Sequence, residues 1–281
     1  MVGASFADSV SSLYEGGVNF RFEKWVALGN DYVIIERSTN QMGITADAVR
    51  AICDRHQGVG ADGVLELTRT SGSTVGDVRI VNPDGSDAEL SGNGTREAIL
   101  YMARHDWSSE TTFTVGTPSG LLRAEILSPT RSRVLLGQAT VRHEHMTFYE
   151  RDAVHIVIGN PQTAIRMKSE ADLELQELDT IGRTIETDIR FADRTNVSLW
   201  TPITESLIAA RIWERGVGHT QSSGTGATGA AVAHFLETGQ SQVAVAMAGG
   251  TLLVEIEPAP EGLRIFLTGD ASPVFSGTWP I

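Results

Sequence analysis

Two five-residue turns constrain this chain more than any other feature of it. Ser91-Gly92-Asn93-Gly94-Thr95 and Ser223-Gly224-Thr225-Gly226-Ala227 each follow a short β-type run and open a stretch with helical apolar spacing. The first unit runs from Arg79 to Asp106 and the second from Arg211 to Gly239, and the two serines stand 132 positions apart in 281. A strand, turn and helix unit repeated at half the chain length predicts two similar domains, related by a pseudo-twofold and facing each other across a cleft.

The rest of the chain is strand-rich. Short β-type runs bounded by Gly, Asp, Asn or Pro occur at Val33–Ile35, Val64–Leu67, Val78–Val81, Thr111–Val115, Leu121–Ile126 and Val134–Leu136. They recur at Val154–Ile158, Leu207–Trp213, Val243–Met247, Leu252–Ile256 and Leu263–Leu267. Helical spacing is confined to Ala46–Asp54, Thr95–Arg104, Asp172–Gly182 and Thr225–Glu237. The expected class is α+β. No Pro-rich or Gly/Ser-rich linker separates the halves, so the boundary is placed where the strand pattern fades, near Gly137 to Glu150.

The first turn of a helix leaves backbone N–H groups unpaired and carries partial positive charge, and glycines beside it allow close approach to a ligand. Two such turns facing each other can grip a carboxylate and present a side chain to either face of the adjacent carbon. That is the geometry of racemisation: one group takes the α-proton, its opposite number delivers one to the other face, and donors on the carboxylate hold the developing enolate charge. The plainer reading is that Ser91 and Ser223 are helix N-caps. Gly224-Thr-Gly-Ala-Thr-Gly229 also satisfies a dinucleotide-binding pattern, but the acidic residue expected about 20 positions on is missing from Gln242 to Gly250. A hydrolase triad built on Ser223 and His219 lacks the G-x-S-x-G elbow.

Charge and cysteine usage exclude other classes. With 22 Lys plus Arg against 35 Asp plus Glu the formal charge is -13, which opposes binding to nucleic acid. Cys53 is the sole cysteine and the seven histidines show no ligand-type spacing, so neither a disulfide nor a metal site is expected, and a reducing cytoplasm fits. No apolar run approaches the roughly 20 residues of a membrane span. Residues 1–19 carry no signal-peptide pattern and are expected to be a disordered extension.

From Phe22 onward the chain resembles the diaminopimelate epimerase family. Eight collinear segments carry the likeness: Leu28-Gly-Asn-Asp-Tyr32, Gly58-Val-Gly-Ala-Asp-Gly63, Asn82-Pro-Asp-Gly-Ser86, Ser91-Gly-Asn-Gly-Thr95, Gly159-Asn-Pro161, Arg194-Thr-Asn-Val197, Glu214-Arg-Gly-Val-Gly218 and Gly224-Thr-Gly-Ala227. The resemblance implies two domains, each a curled sheet around a central helix, with the final strand returning to the first: residues 20–137 plus 265–281, and 138–264. It implies a cofactor-independent isomerase that converts LL- to meso-diaminopimelate in the lysine and peptidoglycan precursor pathway, on a small-molecule amino acid and with room for a homodimer. It also implies that Asn30, Asn82, Asn160, Asn196, Glu214, Arg215 and the backbone at Gly92, Asn93, Gly224 and Thr225 bind substrate. Amides donate to carboxylates and accept from ammonium, Arg215 offers a bidentate clamp, and Glu214 can pair with an ammonium.

Four departures cluster on the expected centre. Ser91 and Ser223 stand where the family carries its catalytic cysteines, Gln162 where it usually has histidine, and His219 where it has glutamate. A thiol near a helix N-terminus reaches the thiolate, and a serine hydroxyl is far less acidic. Three explanations stand: replacement of cysteines to trap a complex, divergence in which His219 serves as a base near Ser223 on another amino acid, and a homologue that binds without converting.

Overall fold

The computed structural model describes residues 19–39, 43–88 and 91–280. The expected extension lies outside the described residues except for Asn19, which already belongs to the first strand. Up to the middle of the chain the elements are β1 (Asn19–Ala27), β2 (Asn30–Glu36), α1 (Ala46–Cys53), β3 (Val64–Arg69), β4 (Gly76–Val81), β5 (Asp87–Ala88), α2 (Gly92–Arg104), β6 (Thr112–Thr117), β7 (Gly120–Ser128) and β8 (Arg131–Phe148). There follow β9 (Arg151–Ile158), β10 (Asn160–Arg166), α3 (Glu170–Leu175), α4 (Leu178–Glu186), β11 (Asn196–Pro202), β12 (Leu207–Glu214), β13 (Gly218–Thr220), α5 (Gly224–Thr238), β14 (Gln242–Met247), β15 (Gly250–Ala259), β16 (Gly262–Asp270) and β17 (Ser272–Pro280).

Strand pairing repeats across the two halves. β1–β2 is antiparallel, β2–β3 parallel, β3–β4 antiparallel, β4–β6 parallel, and β6–β7 and β7–β8 antiparallel. The series β9–β10, β10–β11, β11–β12, β12–β14, β14–β15 and β15–β16 follows the same order of directions. β8 then pairs with β16 along its first half and with β9 along its second, which closes the second sheet into a ring. β17 runs straight on from β16 and pairs with β1, closing the first. The fold is the strand-rich α+β architecture expected from the repeat.

A buried helix threads each ring. Every residue of α5 from Gly224 to His234 is buried, and its Gly and Ala content keeps it thin enough for the ring to close on Ile212, Val243, Val245, Val254 and Leu267. α2 is buried from Asn93 to Met102 among Trp25, Ile34, Leu65, Ile80, Val115 and Val134. Outside the rings, α1 covers Val33, Ile35 and Val64, while α3 and α4 cover Ile165, Val197, Leu199 and Trp213.

The structure corrects several local expectations. The single helix expected over Asp172–Gly182 is two, broken at Gln176, whose backbone is extended (φ -74°, ψ 128°). Gln176 Nε2 donates to the Asp172 carbonyl and Arg211 to the carbonyls of Leu173 and Gln176, so these acceptors are satisfied without a continuing helix. β8 runs unbroken from Arg131 to Phe148, through the region where the strand pattern fades. Its second half exposes His143, Glu144 and His145, so no apolar alternation marks it. β10 begins Asn-Pro and β11 is buried on both faces, including the polar Ser198 and Thr201, which hides both from a search for alternation.

Candidate active site

The two Ser-Gly-x-Gly turns meet. Ser91 and Ser223 both have extended backbones and cap the helices that follow: Ser91 Oγ accepts from the Gly94 N–H at 3.0 Å and Ser223 Oγ from the Gly226 N–H at 3.2 Å. A Cβ on Gly92 would stand 3.4 Å from the Gly224 Cα, so the two helix N-termini approach to near contact. The positive ends of α2 and α5 therefore converge on one spot, a site for an anion held by backbone N–H groups from both halves.

A cavity of about 800 Å³ opens over this junction. Of the residues expected in the site, Asn30, Asn82, Ser91, Gly92, Asn93, Asn160, Glu214, His219, Ser223, Gly224 and Thr225 line it. Asn196, Arg215 and Gln162 do not. The Arg215 guanidinium donates instead to the Asp193 carbonyl at 2.6 Å, and the Arg215 backbone N–H is bound by Asn196 Oδ1 at 2.7 Å. Gln162 is fully buried behind Asn160, donating to its Oδ1 at 2.6 Å.

Hydrogen bonding sorts the lining amides by polarity. Asn30 Nδ2 donates to Asp62 Oδ2 at 2.7 Å and Asn82 Nδ2 to Ser86 Oγ at 3.0 Å, so each keeps its carbonyl oxygen for a cationic partner. Asn160 has its carbonyl engaged by Gln162 and keeps its N–H groups for an anionic one. An amino acid, with an ammonium and a carboxylate a few ångströms apart, matches this arrangement.

Charge is placed unevenly. Burial raises the Glu214 carboxyl above the usual carboxylate range, and hydrogen bonds from Thr220 (2.9 Å) and Ser223 pull it partly back. On the opposite wall Asp31 pairs with Lys24 at 2.7 Å and with Arg55 at 2.7 Å, and Arg55 also holds Asp62 at 2.6 Å. Burial opposes ionisation of Asp31, but Arg55 and Lys24 outweigh it and hold the carboxyl at about 2. His219 is exposed, opposite Trp213 in the β12–β13 pair, and so lies on the other face of the ribbon from Thr220, which reaches Glu214. Cys53 lies outside the cavity, its buried thiol pushed up to about 12, with Asp31 and Asp62 adding to the effect of burial.

Sequence reasoning gave no role to Asp31, Tyr32, Arg55, Asp62 or Ser222, which also line the cavity. Asp31, Tyr32 and Asp62 sit inside quoted motifs, where the asparagines and glycines drew attention first. Ser222 precedes the capping Ser223 and ties the halves together. Arg96, fully buried in α2, donates to Asn93 Oδ1, Asn93 Nδ2 donates to Ser222 Oγ at 2.9 Å, and Ser222 Oγ donates to the Leu28 carbonyl at 2.8 Å. Leu28 has a left-handed backbone (φ 53°) in the two-residue β1–β2 loop, strain of the kind found at functional sites.

Among the described residues, no three His, Cys, Asp or Glu side chains are grouped to hold a metal, and no helix is long and apolar enough to cross a membrane.

Known proteins resemble this chain along most of its length. The chain is 35% identical over 277 residues to a diaminopimelate epimerase of Desulforudis audaxviator, covering 92% of this chain and 98% of the relative. It is 31% identical over 273 residues to one of Synechocystis sp., covering 91% and 97%. Among solved structures, a phenazine biosynthesis protein of the PhzF family from Bacillus anthracis shares the fold at 14% identity, with a TM-score of 0.75 over 94% of this chain and 99% of that one. A hydroxyproline epimerase from Agrobacterium vitis does so at 12% identity and a TM-score of 0.67, over 94% and 91%. The family model described as diaminopimelate epimerase matches twice, over residues 22–142 and 154–274, spans whose starts differ by the same 132 positions that separate the two serines. The chain belongs to the diaminopimelate epimerase family.

Proposed function

We propose that this protein is an amino-acid epimerase that interconverts LL- and meso-diaminopimelate, with Ser91 and Ser223 at the positions the family resemblance assigns to catalytic cysteines. The convergence of two serine-capped helix N-termini on one cavity carries this reading. The substrate's reacting carboxylate sits between the two turns, accepting from backbone N–H groups of α2 and α5, which stabilise the enediolate as its charge grows. Its α-carbon then lies between the two hydroxyls, and the amides and Glu214 hold the remaining polar groups.

Proton abstraction by a hydroxyl needs a base behind it. Glu214 supplies one at Ser223: the α-proton moves to Oγ as the hydroxyl proton moves to the carboxylate. This supports turnover with serine, at a rate below that of a thiolate. His219 lines the cavity but lies on the ribbon face opposite Thr220, the residue that reaches Glu214, so the reading assigns it no proton transfer.

Purified protein incubated with LL-diaminopimelate should form the meso isomer, resolved by chiral chromatography, and Ser91→Ala or Ser223→Ala should each lower the rate by about 10²-fold or more. Saturable binding of diaminopimelate with no meso isomer would replace the epimerase with a binding homologue, and absence of binding would point to another amino acid.

A further inference from the structure

The two halves do not arm their serines alike. Strand register aligns them residue by residue: Val33 pairs with Val64, which pairs with Val81, and at the matching places Thr163 pairs with Val197, which pairs with Trp213. Val81 and Trp213 are 132 positions apart, like the two serines, so Thr163 answers to Val33 and Gln162 to Tyr32. By the same alignment Glu214 answers to Asn82. One half therefore contributes a phenol and a neutral amide, the other a carboxyl and a neutral amide.

Tyr32 is buried inside the first ring, and its hydroxyl donates to Ser91 Oγ at 3.1 Å. The Gly94 N–H occupies a second acceptor position on the same oxygen at 3.0 Å. A hydroxyl oxygen has two lone pairs, so with both engaged the hydrogen of Ser91 must point away from its partners, and the cavity is the open side. The Tyr32 ring has little freedom to leave: a methyl at Gly63 would stand 2.6 Å from it and one at Gly94 3.2 Å. Burial raises its phenol above the usual range, the Ser91 contact offsets part of this, and Glu97, Asp62 and Glu214 add to the rise, so in the resting site Tyr32 carries a proton it can lend to Ser91. Gln162, its counterpart, bonds Asn160 instead and leaves its own Oε1 buried without a partner.

Building on the epimerase reading, we infer that Tyr32 is the positioning residue that makes Ser91 the proton-delivering arm, while Glu214 makes Ser223 the proton-removing arm. In this direction the Cα–H bond breaks towards Ser223, whose oxygen takes the α-proton as its own passes to Glu214. A new Cα–H bond forms on the opposite face with the Ser91 hydroxyl proton, and the Tyr32 proton refills Ser91. Glu214 then loses its extra proton to solvent and Tyr32 regains one from solvent. The site is thus polar, with one epimer handled in the sense for which the hydrogens are already placed.

The test separates exchange from inversion. Each epimer of diaminopimelate is incubated in deuterated buffer with the wild-type protein and with Tyr32→Phe, and the α-deuterium content and isomer ratio are followed by NMR and chiral chromatography. Tyr32→Phe should lower inversion at least tenfold while wash-out of the α-hydrogen facing Ser223 stays within about threefold of wild type, so that one epimer exchanges without inverting. A thermal melt within a few degrees of wild type would show that the fold is kept. Loss of exchange and inversion in equal proportion, or of neither, would overturn the role of Tyr32. Absence of both in the wild-type protein would instead remove the epimerase reading on which it rests.

Discussion

Glu214 is the carboxyl that Ser223 and Thr220 help to hold ionised, and its chemistry fixes the behaviour of the site with pH. A base must be ionised to act, and burial has raised this carboxyl, so kcat should climb with pH through a midpoint above the ordinary carboxylate range and fall away below it. Glu214→Gln should remove that limb and lower kcat by about 10²–10³-fold, with KM changed far less; an unaltered pH profile would take Glu214 out of the proton path. Replacing both Ser91 and Ser223 by cysteine should raise kcat by about 10²-fold, because a thiol at a helix N-terminus ionises near neutral pH and a hydroxyl does not. No gain in kcat would mean that acidity at these positions is not what limits the rate. The serines, glycines and asparagines of the site were legible because each stands in a short motif with special backbone needs. Tyr32 was not, since a tyrosine in a strand of buried apolar residues looks like core until its hydroxyl is traced to Ser91.

At the level of elements, the cleft depends on α2 and α5 holding their N-termini together. The chain from Arg96 through Asn93 and Ser222 to the Leu28 carbonyl is the polar part of that junction. Ser222→Ala leaves the buried Asn93 Nδ2 without its acceptor, which should cost about 1–3 kcal/mol in denaturant unfolding and also reduce turnover. Ser222→Thr, which keeps the hydroxyl, should recover part of both. The two central helices were visible in the sequence because Ser-Gly-x-Gly caps and 3.6-residue spacing agree there. The break between α3 and α4 was not, because Arg211 and the Gln176 side chain end the first helix from outside the local pattern.

For the molecule as a whole, two closed rings joined through β8, β16 and β17 explain why one sequence repeat yields one site. The duplication was readable from the 132-residue spacing of the serines, whereas ring closure was not, because β8 continues through polar, exposed residues and β17 pairs with the far end of the chain. The Lys24, Asp31, Arg55 and Asp62 cluster joins β1 and β2 to the loop before β3 beside the cavity. Asp31 has its folded-state carboxyl held at about 2, below its unfolded value of 3.8. Its contribution to stability is therefore complete above the unfolded value and lost as pH falls through about 2. Asp31→Asn should flatten the fall in stability across that interval, as followed by urea unfolding at a series of pH values, and an equally steep fall would mean that other carboxylates govern acid unfolding.

In the proposed reaction two serines on opposite faces of one α-carbon perform the family's epimerisation. ¹H NMR of LL-diaminopimelate with this protein in deuterated buffer tests it most directly. Loss of the α-proton signal is expected together with appearance of the meso isomer carrying deuterium at the inverted centre. Retention of the α-proton under saturating binding would contradict it.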